Sequence, residues 1–167
     1  IAGNVASMTT AGGQRLAITT LLPVAADLTV EPAEPLAENG EPADGEPMQF
    51  RLRVEATGGP RETRFLHVLQ AADAGIEVGA VTLIESSGGP RVAGAVVAGT
   101  AVLFPVDLGA GIDELTSVVP AGTTRLLITG LASDGGYEVE TRTEHGDLVV
   151  TITPGRDVQV YLAQSRS

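Results

Sequence analysis

Residues 64–73 (RFLHVLQAAD) form the stretch that decides the fold class of this chain. Its apolar residues Phe65, Leu66, Val68 and Leu69 run almost continuously, which predicts a buried, central strand. Elsewhere the chain breaks often at Gly and Pro, and no long window repeats apolar residues at helical spacing. The stretch therefore belongs to an all-β protein.

Eleven segments predict short strands, and their close spacing is typical of a β-sandwich or barrel. Residues 48–56 alternate most clearly, because Met48, Phe50, Leu52 and Val54 point opposite to the polar residues between them. We predict two packed antiparallel sheets in a single domain over residues 1–167. The predicted strands are residues 15–22, 48–56, 64–71, 78–86, 92–97, 100–106, 118–119, 124–129, 137–143, 148–153 and 158–162.

Composition excludes several classes of partner. The 167 residues carry a formal net charge of −11, which disfavours binding to nucleic acid and to anionic lipid. No apolar run approaches the roughly 20 residues of a membrane span. There is no Cys, so no disulfide and no thiolate metal ligand is expected. Because the chain begins at Ile1, we expect a processed mature protein or a piece of a longer one.

The stretch 27–47 differs from the rest because it is rich in proline and acidic residues. It predicts an extended, self-repelling loop between two strands. A calcium loop is the alternative, since hard cations bind carboxylate oxygens. The spacing of a DxDxDG calcium motif is missing, which favours a solvated loop. The residues concerned are Pro32, Pro35, Pro42 and Pro47, with Glu31, Glu34, Glu38, Glu41, Asp44 and Glu46.

Neither histidine has the neighbours in sequence that catalysis or metal binding requires. His67 lies in an apolar strand, with no Ser, Cys or second His beside it, so a packed or hydrogen-bonded histidine is favoured over a general base. His145 lies in a turn with Glu144 and Asp147, which forms a metal site only if another ligand joins them. We predict no catalytic, cofactor-binding or metal-binding residue, and no cofactor.

Two further patterns have structural interpretations. Asp113 and Glu114 are adjacent acids in a Gly-rich loop, and adjacent residues on one loop rarely face the same substrate, so a surface position is favoured over acid–base chemistry. Tyr137 follows a Gly-Leu corner at residues 130–131. Immunoglobulin-like sandwiches tie such a tyrosine hydroxyl to nearby backbone, whereas simple packing at a sheet edge is the alternative.

Several segments in this order are similar to one family across about residues 13–154. They resemble the C-terminal β-sandwich region of heparinase II/III-like polysaccharide lyases. The segments are residues 13–16 (GQRL), 19–23 (TTLLP), 50–54 (FRLRV), 64–70 (RFLHVLQ), 102–104 (VLF) and 127–131 (LITGL) followed by Tyr137.

The resemblance implies an extracellular or periplasmic enzyme that cleaves uronate-containing polysaccharides by β-elimination. It also implies an upstream helical toroid domain that holds most catalytic residues. These 167 residues contain no such toroid, and none of the family's catalytic Tyr, His or Asn positions maps onto them. The resemblance therefore implies a fold and a setting, and no active-site residue.

Two functions follow as expectations. The first is a non-catalytic accessory domain that packs on the catalytic domain of a parent protein and contacts polysaccharide at most at its rim. The alternative is an extracellular structural subunit, whose partners are copies of itself joined by β-strand addition into a filament or matrix. A large exposed apolar face on a monomer favours the first, and an apolar N-terminal segment bonded into a neighbour favours the second.

Overall fold

The computed structural model describes residues 1–32, 50–109, 111–132 and 136–155. Within these ranges the chain forms twelve strands and no helix, which confirms the all-β prediction. No helix in these ranges is therefore long and apolar enough to cross a bilayer. The predicted strand 158–162 lies outside the described residues.

The strands are short, as the frequent Gly and Pro predict. Two of them, β1 and β3, were not predicted from the sequence. The bounds are β1 Val5–Thr9, β2 Arg15–Leu22, β3 Ala26–Pro32, β4 Phe50–Ala56, β5 Leu66–Ala72, β6 Val81–Gly88, β7 Val92–Val97, β8 Thr100–Pro105, β9 Leu115–Pro120, β10 Arg125–Ile128, β11 Gly136–Glu144 and β12 Asp147–Gly155.

The first compact unit, Ile1–Val78, contains a three-stranded antiparallel sheet in the order β1-β2-β5 and the separate antiparallel pair β3-β4. The prediction of a buried, central strand at residues 64–71 is wrong. Within the described residues β5 is an edge strand, and Phe65 and Leu69 are 48% and 63% exposed. An apolar run predicts a strand but not its place in the sheet.

The first six residues of the predicted acidic loop form part of a strand instead. Residues 27–32 belong to β3, because Leu28 and Val30 alternate with polar residues and pair with Val54 and Leu52 of β4. Residues 33–49, which hold most of the prolines and acids, lie outside the described residues. The calcium alternative for this loop stays untested.

The second compact unit, Gly79–Ser167, contains a seven-stranded sheet in the order β10-β8-β7-β6-β9-β12-β11. All neighbours are antiparallel except β8 and β10, which are parallel. After β8 the chain crosses to the other side of β6, where it forms β9, and then returns to form β10 beside β8. A crossover connection of this kind allows β8 and β10 to run parallel. The expectation of purely antiparallel sheets is wrong at this edge.

The hydrophobic core of the second unit is aliphatic except for Tyr137, in line with the low aromatic content. Strand β7 is buried along almost its whole length, and Ala101 and Leu103 of β8 are fully buried. They belong to one buried cluster with side chains of β9 and β12, and burying this apolar surface stabilises the unit. The cluster contains Ile84, Val92, Val96, Ala101, Leu103, Ile112, Leu115, Val119, Tyr137, Val150 and Ile152.

Two tight turns occur where the sequence predicted them. Ala98-Gly99 joins β7 to β8, and His145-Gly146 joins β11 to β12, with positive φ at all four residues. Two-residue loops of this kind match the twist of the strands that they connect. Whether the sheets form a sandwich within one domain stays a prediction, since one sheet is curled into a half-barrel.

Candidate functional site

The described residues of the first unit form an apolar groove with a volume of about 450 Å³. The β1–β2 register places Ala6 opposite Ile18 and Met8 opposite Leu16, so that these four side chains share one face of the sheet. The hairpin β3–β4 contributes the remaining apolar wall. The lining residues are Ala6, Ser7, Met8, Leu16, Ile18, Val30, Phe50 and Leu52.

The groove is open, and large apolar side chains on it contact solvent. Met8 is 60% exposed, Val30 53% and Phe50 66%. Among the described lining residues, only Ser7 has a polar side chain. These residues suit apolar contact, and none of them carries a charge that could orient a sugar or a phosphate.

The hairpin β3–β4 separates its apolar and charged residues onto opposite faces, as predicted for residues 50–55. Leu52 and Phe50 line the groove, whereas Arg53 forms ion pairs with Glu55 at 2.5 Å and with Glu31 at 3.3 Å. The pKa of Arg53 is raised, first by its hydrogen bond with Glu55 and then by that with Glu31. All three side chains are exposed, so these pairs contribute little to stability.

His67 has two structural contacts and no catalytic neighbour among the described residues. Its Nδ1 lies 3.1 Å from Oγ1 of Thr20, the residue opposite it on β2, and this hydrogen bond forms with either tautomer. Its ring stacks on Phe65, with the ring centroids 6.0 Å apart. The contacts support the packed, hydrogen-bonded interpretation.

The other candidate residues from the sequence do not come together. Asp113 and Glu114 are both exposed, and His145 is exposed at the tip of its hairpin. Glu144 forms an ion pair with Arg142 at 3.2 Å. In the part of the chain that the structure describes, no three His, Cys, Asp or Glu side chains cluster closely enough to hold a metal ion.

The hydroxyl of Tyr137 hydrogen-bonds to nearby backbone, which is the first of the two interpretations that the sequence suggested. The Tyr137 side chain is buried, and its hydroxyl donates a hydrogen bond to the carbonyl oxygen of Ile112 at 3.0 Å. The carbonyl oxygen of Ala132 lies 3.3 Å from the same hydroxyl and is a second acceptor. The amide of Ile112 in turn donates to the carbonyl of Gly130. Tyr137 therefore fixes the loop before β9 against the corner at residues 130–132, which is a structural role.

Sequence reasoning missed the groove because two of its walls come from the unpredicted strands β1 and β3. The alternation of Leu28 and Val30 with polar residues was a usable signal, but it merges into the proline-rich stretch that follows. Strand β1 has only five residues, in which Val5 and Ala6 are adjacent and only Met8 is flanked by polar residues, so its alternation is too short to identify.

In comparisons with known proteins, the chain matches no family model, no curated protein and no solved structure. The resemblance to heparinase II/III-like lyases thus stays a prediction from the quoted segments.

Proposed function

We propose that the chain is a non-catalytic β-sandwich accessory domain of an extracellular or periplasmic, lyase-like protein that degrades polysaccharide. The observation that carries this proposal is the open apolar groove of the first unit. An accessory domain of this kind packs on the catalytic domain of its parent protein through apolar side chains, and Met8, Val30 and Phe50 are available for such packing.

The side chains of the described residues also favour a non-catalytic role. The half-buried His67 is held by Thr20 and Phe65, and the exposed acids form no paired site. Among the described residues that line the groove, only Ser7 has a polar side chain, so they do not offer the convergent polar groups that fix a small substrate. The net charge of −11 opposes direct capture of an anionic glycan.

The proposal is tested by comparing the 167-residue chain with the protein made from the complete reading frame that contains it. We expect the complete protein to release unsaturated uronate products, detected by their ultraviolet absorbance, and the 167-residue chain to release none. A complete protein that cleaves no uronate polysaccharide, or cleavage by the 167-residue chain itself, would contradict the proposal.

A matched pair of variants in the complete protein tests the groove as the packing surface. Met8→Lys places a charge in the groove, whereas Val118→Lys places one on β9, where the native side chain is 40% exposed. We expect Met8→Lys to lower the melting temperature of the complete protein more than that of the 167-residue chain. Equal effects in both backgrounds would show that no partner covers the groove.

The second candidate function is the self-assembling structural subunit. The specific observation in its favour is that both edge strands of the three-stranded sheet, β1 and β5, carry no charged residue. Uncharged edges are templates for strand addition. Electron microscopy of the concentrated chain separates the two functions, since filaments would favour assembly and their absence the accessory role.

A further inference from the structure

The outer edge of β5 exposes a row of backbone groups. In the described residues β5 pairs only with β2, and that pairing runs from Leu66 to Ala72. Within the described ranges no strand pairs with the opposite edge, whose N–H and C=O groups can bond with another extended chain.

The hydrogen-bond pattern of β2 identifies which residues of β5 point outward. The amide of Thr20 donates to the carbonyl of Asn4, and the Asn4 side chain donates to the carbonyl of Thr20, so the backbone of Thr20 faces β1. Because residues of an antiparallel strand alternate between their two neighbours, Thr20 and every second residue turn away from β5. Their partners on β5 point outward, and these are His67, Leu69 and Ala71.

Strand β5 lacks the devices that protect sheet edges. It contains no charge, no Pro and no Gly, and the side chain of Leu69 is 63% exposed. Strand β11, which is an edge of the seven-stranded sheet, differs in having four charged residues. Those residues are Glu138, Glu140, Arg142 and Glu144.

We propose that two copies of the chain associate by antiparallel pairing of β5 with β5 of the second copy. The two-fold axis passes midway between the two Leu69 residues, so Leu69 lies opposite Leu69 of the second copy. His67 of each copy then lies opposite Ala71 of the other. In this register every outward N–H and C=O of the three residues has a partner. No like charges face each other across the pair.

The proposed pairing also extends the apolar face of the sheet. Leu69 lies opposite Ile18, which shares its face with Met8, so the two apolar faces become one across the axis. The net charge of −11 on each copy opposes association. Salt screens that repulsion, and we therefore expect the dimer to tighten as ionic strength rises.

This inference goes beyond the proposed function and does not depend on it. The pairing closes after two copies, because each copy uses the same strand in the same way. A filament would need β1 as well, and on that edge the outward groups of one residue, Val5, already bond to Ala2. A dimer is thus the expected assembly.

Sedimentation equilibrium of the 167-residue chain tests the inference. We expect a mass that rises with concentration from 17.0 kDa to twice that value. Leu69→Lys places two positive charges opposite each other at the axis and should weaken the dimer at least about tenfold. The control, Thr141→Lys on the charged edge β11, should leave the mass unchanged.

Mixing two oppositely charged variants tests whether Leu69 faces Leu69 of the second copy, as the proposed register requires. Leu69→Lys and Leu69→Glu chains should each be monomeric and should form a heterodimer when mixed. Circular dichroism verifies that both remain folded. A wild-type chain that stays monomeric to about 100 μM would overturn the inference, as would a dimer that Leu69→Lys leaves intact. Mass reports neither polysaccharide binding nor lyase activity, so this inference and the proposed function fail separately.

Discussion

The two compact units differ in how many of their large apolar side chains they bury. Every member of the main hydrophobic cluster lies between residues 84 and 152, in the second unit. Among the described residues of the first unit, the buried apolar side chains are few and mostly small, namely Ala6, Ala17 and Leu21. Several of its larger apolar residues are exposed, at the groove (Met8, Val30 and Phe50) and at or beside β5 (Phe65 and Leu69). The difference teaches that one unit is built for stability and the other offers surface for contact.

The largest effect on this comparison is expected from Gly94→Ala in β7. A β-carbon at residue 94 would overlap the backbone carbonyl of Val102, and backbone cannot move aside as a flexible side chain does. We expect a loss of at least about 4 kcal/mol in the free energy of unfolding, measured by urea denaturation followed by circular dichroism. Gly122→Ala is the control, because no atom lies within 4 Å of its added carbon, and it should change stability by less than about 0.5 kcal/mol.

Truncating one apolar residue in each unit sharpens the contrast. Leu103 is fully buried, so Leu103→Ala removes apolar contacts and leaves a cavity that should cost about 3 kcal/mol. Met8 is 60% exposed, and Met8→Ala should cost less than about 0.5 kcal/mol in the isolated chain. Equal losses in the same denaturation assay would show that the groove is part of a core.

A smaller effect is expected from Tyr137→Phe. The substitution keeps the ring and removes the hydroxyl that donates to Ile112, leaving a buried carbonyl with fewer donors. We expect a loss of about 1–2 kcal/mol, together with faster amide exchange at residues 111–114. Unchanged exchange there would mean that Tyr137 only packs, and that it does not fix the loop.

The smallest predicted effect is an increase in stability, from Ala98→Gly. Ala98 has φ of 48° in the β7–β8 turn, a conformation that costs a residue with a β-carbon more than it costs Gly. Ala98→Gly should therefore stabilise the chain by about 0.5–1 kcal/mol, after the higher entropy of unfolded Gly is included. Ala56→Gly, within β4 of the first unit, should destabilise it by a similar amount. Calorimetry measures both shifts in melting temperature.

Local patterns predicted much of the fold. Strands β2 and β7 have the bounds expected from the sequence, Arg15–Leu22 and Val92–Val97, because both have apolar residues bounded by turn signals. The two tight turns and the Tyr137 tie were likewise visible locally. In each case the deciding residues are near one another in the chain.

The rest depends on partners that are distant in sequence. The pattern of β5 is equally compatible with a central and an edge strand, since the number of neighbours is set by the whole sheet. The parallel return of β10 to β8 follows from a crossover that no local residue specifies. The groove joins β1 and β2 to the hairpin β3–β4, and two of those four strands were not predicted.

Hydrogen–deuterium exchange at a low and a high protein concentration tests most directly whether the second unit provides stability and the first provides contact. We predict that amides in β7 and β12 exchange slowly at both concentrations, because they lie in the buried core. We predict that the amides of His67, Leu69 and Ala71 are protected only at high concentration, when their outward edge is paired. Exchange in β5 that is independent of concentration, with β5 amides as slow as those of β7, would contradict the account.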